Sequence, residues 1–353
     1  MFGRSKAVVG LDIGSSAVKA VELRPAGKGF RVAAYASEPV PPDSIVDGAI
    51  IDSTAVSDAI RRLLDGAHGF SSKEVCASLS GNAVIVKKIA LPVMTESELD
   101  ESIYWEAEQY IPFDIQDVNL DYQVLDPGTG PDSRGSMDVL LVAAKKDKIA
   151  DYTAVIAGAG RTAVVVDVDA FALQNAFEVN YGLDPRDVVV LLNAGASAIN
   201  INILAGGQPV FTRDISMGGQ AYTEALQREL DLPYEAADQL KRGIPVDGAT
   251  FDDARPVLHA VTEGVLLEIQ KTFDFFKATA STDQIDRILI SGGASQVDGF
   301  AEMLQQRFGA TVEVFDPFRT VTWDARKLGQ DAFQQAATAA VAVGLALRRA
   351  GDR

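Results

Sequence analysis

The chain carries nearly the same segment twice. Residues 11–23 read LDIGSSAVKAVEL and residues 192–204 read LNAGASAININIL, identical at five of thirteen aligned positions. The shared residues are Leu11 and Leu192, Gly14 and Gly195, Ser16 and Ser197, Ala17 and Ala198, Leu23 and Leu204. Each copy is an apolar β-type run, a short Gly/Ser turn and a second strand, which predicts a hairpin. A glycine permits φ > 0 and a close backbone approach, and serine hydroxyls add donors. Two such hairpins facing each other would grip an anion from both sides, as nests of N–H groups grip phosphate. A fold built from two related halves is the strongest constraint here.

Composition narrows what those halves do. A length of 353 residues supplies core for two or three domains, and 47% hydrophobic residues mark a globular chain. No apolar run approaches the ~20 residues that span a bilayer, and MFGRSK lacks the apolar core of a signal peptide, so a cytoplasmic location is expected. The single cysteine, Cys76, cannot form an internal disulfide and is expected to fill core space. His68 and His259 stand far apart and beside no carboxylate or cysteine cluster, which argues against a metal site or a histidine triad. The net charge of −17 argues against nucleic acid as a partner. Between Thr95 and Asp138 there are twelve carboxylates and one basic residue, Arg134. Such a segment is a solvated acidic face, or a surface that steers a basic partner.

Hydrophobic period and punctuation predict strands at 7–13, 17–24 and 29–37, then a helix at 53–66 capped by Ser53 or Thr54. Strands at 74–80 and 83–91 lead to a helix at 97–111 with a capping box, Thr95 and Glu98. Strands at 119–125 and 137–144 flank the polar loop DPGTGPDSRGS, which is expected to be mobile. A helix, the strand TAVVVDVD and a helix at 169–181 close the first half. The second half repeats strands before helices, at 218–231, 235–243, 256–281 and 298–307. An alanine-rich helix at 331–349 has small residues suited to close packing, and lacks the bulky apolar and basic faces of a membrane-surface helix.

Taken together and in order, LDIGSSAVK, LLNAGASAI and LISGGASQVDGF resemble the two phosphate motifs and the adenosine motif of the actin/Hsp70/sugar-kinase superfamily. Outside them, WEAEQYIPFD, TRDISMGGQAYTEALQREL and EAADQLKRG resemble the PilM family, actin-like proteins of type IV pilus assembly related to FtsA. The resemblance covers essentially the whole chain. It implies an α/β actin-like ATPase fold: two RNase H-like halves around a nucleotide cleft, with an α+β subdomain inserted in the first half. The expected bounds are 1–75 and 161–186 for the first half, 76–160 for the insertion, 187–330 for the second half, and 331–353 for a helix packing back on the first. ATP with Mg2+ is the implied cofactor. The implied partner is the short cytoplasmic tail of an inner-membrane PilN-like protein, which would hold the chain at that membrane without inserting it.

The resemblance also implies site residues. Asp12 matches the first-motif aspartate that orients magnesium-bound water, and Gly14, Ser15 and Ser16 match the turn around the phosphates, with Lys19 on the strand leaving it. Gly195 and Ser197 match the second phosphate turn, and Ser291, Gly292 and Gly293 the adenosine motif. Glu235, Gln239, Lys241 and Arg242 lie on the helix that the family places near base and ribose, Lys241 foremost; alone, the pattern reads equally as an amphipathic helix with Ala237 and Leu240 inward. The departure is Asn193, where the superfamily has an aspartate; an amide brings no charge to magnesium and takes no proton from water, so slow ATP turnover is expected.

In the inserted helix, Leu99, Ile103, Ala107 and Tyr110 share one stripe and Trp105 lies nearly opposite. Trp105 then either packs against a neighbouring subdomain or anchors a docked peptide, with Ile111, Pro112 and Phe113 lining a groove wall. Two other readings stay open: a sugar-type kinase, for which no carboxylate base or sugar pocket is legible, and an FtsA-like filament protein, whose C-terminal membrane helix has no counterpart in ALRRAGDR.

Overall fold

Strand β1 (Val9–Ile13) turns into β2 (Ala17–Ala26) and pairs with it antiparallel, and β3 (Gly29–Pro39) continues the meander. The computed structural model describes residues 7–66, 68–128, 135–279, 284–323 and 336–352. A two-strand hairpin, β4 (Ile45–Val46) and β5 (Ala49–Ile50), precedes α1 (Ser53–Asp65). The N-cap of α1 is Asp52, whose carboxylate accepts from Ala55 N at 2.9 Å, one residue ahead of the expected Ser53 or Thr54. Strand β6 (Glu74–Leu79) adds to β1 in parallel and buries Cys76, whose thiol is pushed up to about 12 chiefly by that burial.

The chain then leaves this sheet through a 3₁₀ turn at Gly81–Ala83 and makes a separate three-stranded one. Its members are β7 (Val84–Pro92), β8 (Val118–Asp126) and β9 (Ser136–Lys145), with β9 in the middle. Between β7 and β8 runs α2 (Glu96–Glu108), opened by the expected Thr95–Glu98 capping box. Leu99, Ile103 and Ala107 of α2 meet Ile89, Leu91, Val139 and Leu141 in a core of their own. This separate sheet, with α2, runs from Val84 to Lys145. Strand β6 belongs to the first half's sheet, and α3 (Lys146–Gly158) buries Tyr152, Val155 and Ile156 against α1 in that half's core. The polar loop expected to be mobile lies largely outside the described residues, as does Arg134.

Strand β10 (Thr162–Val168) completes the first sheet in the order β10-β6-β1-β2-β3, and α4 (Asp169–Tyr181) leads into the second half. There β11 (Val188–Ala194), β12 (Ile199–Ala205) and β13 (Gln208–Ile215) repeat the antiparallel meander. Helices α5 (Gly219–Leu230), α6 (Tyr234–Lys241) and α7 (Phe251–Thr279) follow. Helix α7 starts before the expected residue 256, because Thr250 and Asp253 cap each other and Pro256 sits within the helix. Strands β14 (Arg287–Ser291) and β15 (Thr311–Val314), separated by α8 (Phe300–Phe308), finish a sheet in the order β13-β12-β11-β14-β15. Position for position this is the first sheet again.

Between the sheets lies a shared core of Val21, Leu23, Leu173, Phe177, Leu191, Leu289, Phe315 and Val343. A 3₁₀ turn, Ala336–Ala339, runs into α9 (Ala340–Ala346), which presses on β1 and α4 where Gly10 and Gly344 leave room; residues 331–335 of the expected helix lie outside the described residues. Among the described residues no helix is long and apolar enough to cross a membrane.

Candidate functional site

The duplicated turns close in the same way. Gly14 N donates to Ala17 O at 3.2 Å, and Gly195 N to Ala198 O at 2.9 Å. Neither glycine adopts positive φ, contrary to the sequence expectation. The demand is for space: an added Cβ would lie 3.0 Å from Ala17 O at Gly14 and 2.9 Å from Ala198 O at Gly195. The two turns meet across the cleft, where the Ser15 hydroxyl donates to Ser197 Oγ at 3.1 Å. Ser16 points to solvent while its carbonyl accepts from Val40 N.

Asp12 and Lys19 face each other across the first hairpin, and Lys19 Nζ donates to Asp12 Oδ2 at 3.0 Å. Burial alone would lower the Lys19 pKa, but the Asp12 charge and hydrogen bond hold it above its ordinary value. In the second half Ser291 Oγ donates to Asn193 Oδ1 at 3.3 Å. Gly292 has φ +84, and a Cβ there would lie 2.3 Å from Ala194 O, so this turn tolerates only glycine. The neighbouring Gly293 is exposed, with nothing within 4 Å of an added Cβ.

Helix α5 starts against the second turn, since Gly219 N donates to Gly195 O and Gln220 N to Ala196 O. Lys241 is tied to the same place. Its ammonium donates to Gly219 O at 3.2 Å and Thr223 Oγ1 at 2.7 Å, and pairs with Asp238 at 2.8 Å. On α6, which carries Lys241, Glu235 and Gln239 are exposed, as is Arg242 at its C-cap, with Ala237 and Leu240 inward.

One cleft residue escaped the sequence reading. Asp169, the first residue of α4, accepts from Ser78 Oγ at 2.5 Å, and its carboxyl is pushed up to about 6 by burial and by the nearby Asp12 charge. The available signal was a carboxylate at a strand-to-helix junction between the two halves. A carboxyl whose folded pKa exceeds its unfolded one holds its proton more tightly when folded. Stability from this group therefore falls as pH rises from about 4 to about 6. Asp169→Asn should accordingly raise Tm by roughly 2–4 °C at pH 7.5 and leave it unchanged near pH 4, measured by calorimetric melts.

In the insertion, Trp105 is 73% exposed and Tyr104 beside it 53%. Ile111 is buried in the insertion's core, so it cannot line a groove as expected. Pro112 is exposed, and Phe113 is half-buried with Lys145 Nζ 4.1 Å from its ring centre. Helix α2 ends at Glu108, earlier than the expected residue 111.

Two copies of one five-stranded sheet, hairpin against hairpin across a cleft, define an actin-like ATPase fold. EutJ from Carboxydothermus hydrogenoformans, an ethanolamine utilization protein, shares it at 17% identity and TM-score 0.57, over 98% of this chain and 90% of that one. So does MreB5 of Spiroplasma citri, solved bound to AMPPNP, at 12% identity and TM-score 0.52 over 97% and 95%. The family model of the type IV pilus assembly protein PilM matches residues 10–350, and the chain belongs to that family. A solved PilM–PilN type IV pilus biogenesis complex matches at 32% identity and TM-score 0.84, over 98% of this chain and 99% of that one.

Proposed function

We propose that the chain is an ATP-binding adaptor of the type IV pilus assembly machinery that docks the cytoplasmic N-terminal tail of a PilN-like inner-membrane protein. The observation that carries this reading is the full-length match to a protein solved together with PilN. On this reading the chain sits on the cytoplasmic side and reaches the inner membrane through its partner. ATP lies between the two Gly/Ser turns, with its nucleoside against Gly293 and Lys241. The residues suit Mg2+, which takes one or two carboxylates and otherwise water and substrate phosphates. Asp12 is such a carboxylate, and Lys19 beside it is a second cation for phosphate. The bound metal would neutralise charge on the phosphates. Asn193, an amide engaged by Ser291, supplies no carboxylate to an attacking water, which favours slow turnover.

The tail would dock in a groove between the first half and the insertion, near Trp105, Pro112 and Phe113. Exposed aromatic surface ringed by Asp100, Glu101 and Glu108 suits a basic peptide with an apolar anchor. Trp105→Ala should weaken binding of a synthetic tail peptide by more than ~1 kcal/mol while leaving Mg-ATP affinity unchanged, both read by calorimetry. Unchanged peptide affinity would move the groove elsewhere.

A further inference from the structure

Four polar residues form one row across the second sheet. Cross-strand register places Ser291 of β14 opposite Asn193 of β11, Asn193 opposite Asn200 of β12, and Asn200 opposite Asp214 of β13. Residues in such a row share a face of the sheet. Their side chains are linked end to end. Ser291 Oγ donates to Asn193 Oδ1 at 3.3 Å, Asn193 Nδ2 to Asn200 Oδ1 at 3.1 Å, and Asn200 Nδ2 to Asp214 Oδ1 at 2.8 Å. Strand β13 is the sheet's edge, and there the row crosses to the other half: Gly81 N donates to Asp214 Oδ2.

Gly81 is the root of the inserted subdomain, since the turn Gly81–Ala83 feeds straight into β7. The root is not packed solid. A cavity of about 210 Å³ opens there, lined by Ser80, Gly81, Val84, Thr212, Arg213 and Asp214. At the row's other end Ser291 and Asn193 lie directly beside the Gly292–Gly293 turn.

We propose that Asn193, Asn200 and Asp214 are a hydrogen-bond relay coupling occupancy of the cleft to the position of the inserted subdomain. The coupling to nucleotide rests on the ATP-binding reading above; the relay itself does not. It also accounts for the amide at 193. That side chain must accept from Ser291 and donate to Asn200, which a carboxylate cannot do. Ser291 and Asn200 are buried, so a mismatch at either finds no water to turn to, whereas Asp214 at the row's outer end is exposed. A ligand that shifts the Ser291–Gly293 turn disturbs Asn193, and the mismatch is relieved at Gly81, where the cavity leaves space.

The polarity of the row gives a sharp test. With Asn193→Asp, Asn200 faces a carboxylate on each side and can turn its Nδ2 to only one of them. With Asp214→Asn, an amide must accept from both Asn200 and Gly81. The double variant N193D/D214N restores every bond with the two middle ones reversed: Asn200 turns over to donate to residue 193 and accept from residue 214, while Ser291 and Gly81 N still donate. Net charge is unchanged. Backbone amide exchange of residues 80–92 is to be measured by mass spectrometry on the nucleotide-free full chain. Each single variant should speed exchange at 81–84 at least threefold, and the double variant should return it to within twofold of the parent. If the single variants fail to fold, a folded double variant is the same rescue. Unchanged exchange in Asn193→Asp, or a double variant worse than either single, overturns the relay. In parallel, calorimetry of Mg-ATP on the parent chain tests the nucleotide reading: no heat of binding would refute that reading while the exchange series still decides the relay.

Discussion

Gly344→Ala should leave little folded protein, or protein with Tm lowered by more than 10 °C (an effect on the order of 3 kcal/mol or above). An added Cβ at Gly344 would sit 1.7 Å from Ala172 O, which is backbone of α4 and cannot rotate away. Gly10 repeats the situation on the other side of α9, with a Cβ 2.1 Å from Ala342 O. Helix α9 is thus clamped between β1 and α4 at backbone contact distance, inside the core that both sheets share. Separating it from α4 would open that core and move one half against the other, so no local rearrangement relieves the clash. Gly264, half-buried on α7 with nothing within 4 Å of an added Cβ, is the control. Gly264→Ala should stabilise by about 0.5–1 kcal/mol through helix propensity alone. Circular dichroism melts of the two variants decide it. A drop below about 3 °C for Gly344→Ala would mean that the two helices can separate at little cost.

Much of this fold was legible because its signals are local. The Gly/Ser hairpins and their duplication, the Thr95–Glu98 capping box and the inward stripe Leu99, Ile103 and Ala107 all lie within a few residues of sequence, and the structure has each of them. What failed was competition between equally good local choices. Asp52, Ser53 and Thr54 are all competent caps, and the structure uses Asp52. Pro256 invited a helix start, but the Thr250–Asp253 cap lies upstream and the proline is absorbed inside the helix. Ile111 lies just past the helix, where a period of 3.6 no longer says which way a side chain points. The cleft was readable as a set of turns, not as a geometry. The contacts that organise it join residues far apart in sequence: Ser15 with Ser197, Ser78 with Asp169, and Gly81 with Asp214. Asp214 carries no spacing signal, because cross-strand register places it, and the local signal for Asp169 is no more than a carboxylate at a strand-to-helix junction.

Asp12→Ala should weaken ATP binding about 100-fold in the presence of Mg2+, which corresponds to ~2.7 kcal/mol, and far less in its absence. Asp12 does two things at once. On the ATP-binding reading it would be a carboxylate for the metal, and in the structure it is the partner that keeps the Lys19 ammonium charged in a half-buried site. On that reading, removing it would delete the anchor for Mg2+ and leave Lys19 without its neutralising anion, so the phosphates would gain a freer cation but lose the metal. The two consequences can be separated. Lys19→Met keeps the carboxylate and should reduce ATP affinity by a similar factor with and without Mg2+, because an ammonium bonds phosphate directly. Gly14→Val should abolish binding under both conditions, since the turn has no room for a side chain beside Ala17 O. Calorimetric titrations of the three folded variants, with magnesium or with a chelator, supply the comparison. If Asp12→Ala keeps its magnesium dependence, the metal is held by another carboxylate, and Asp169, close enough for its pKa to register the Asp12 charge, is the first to substitute.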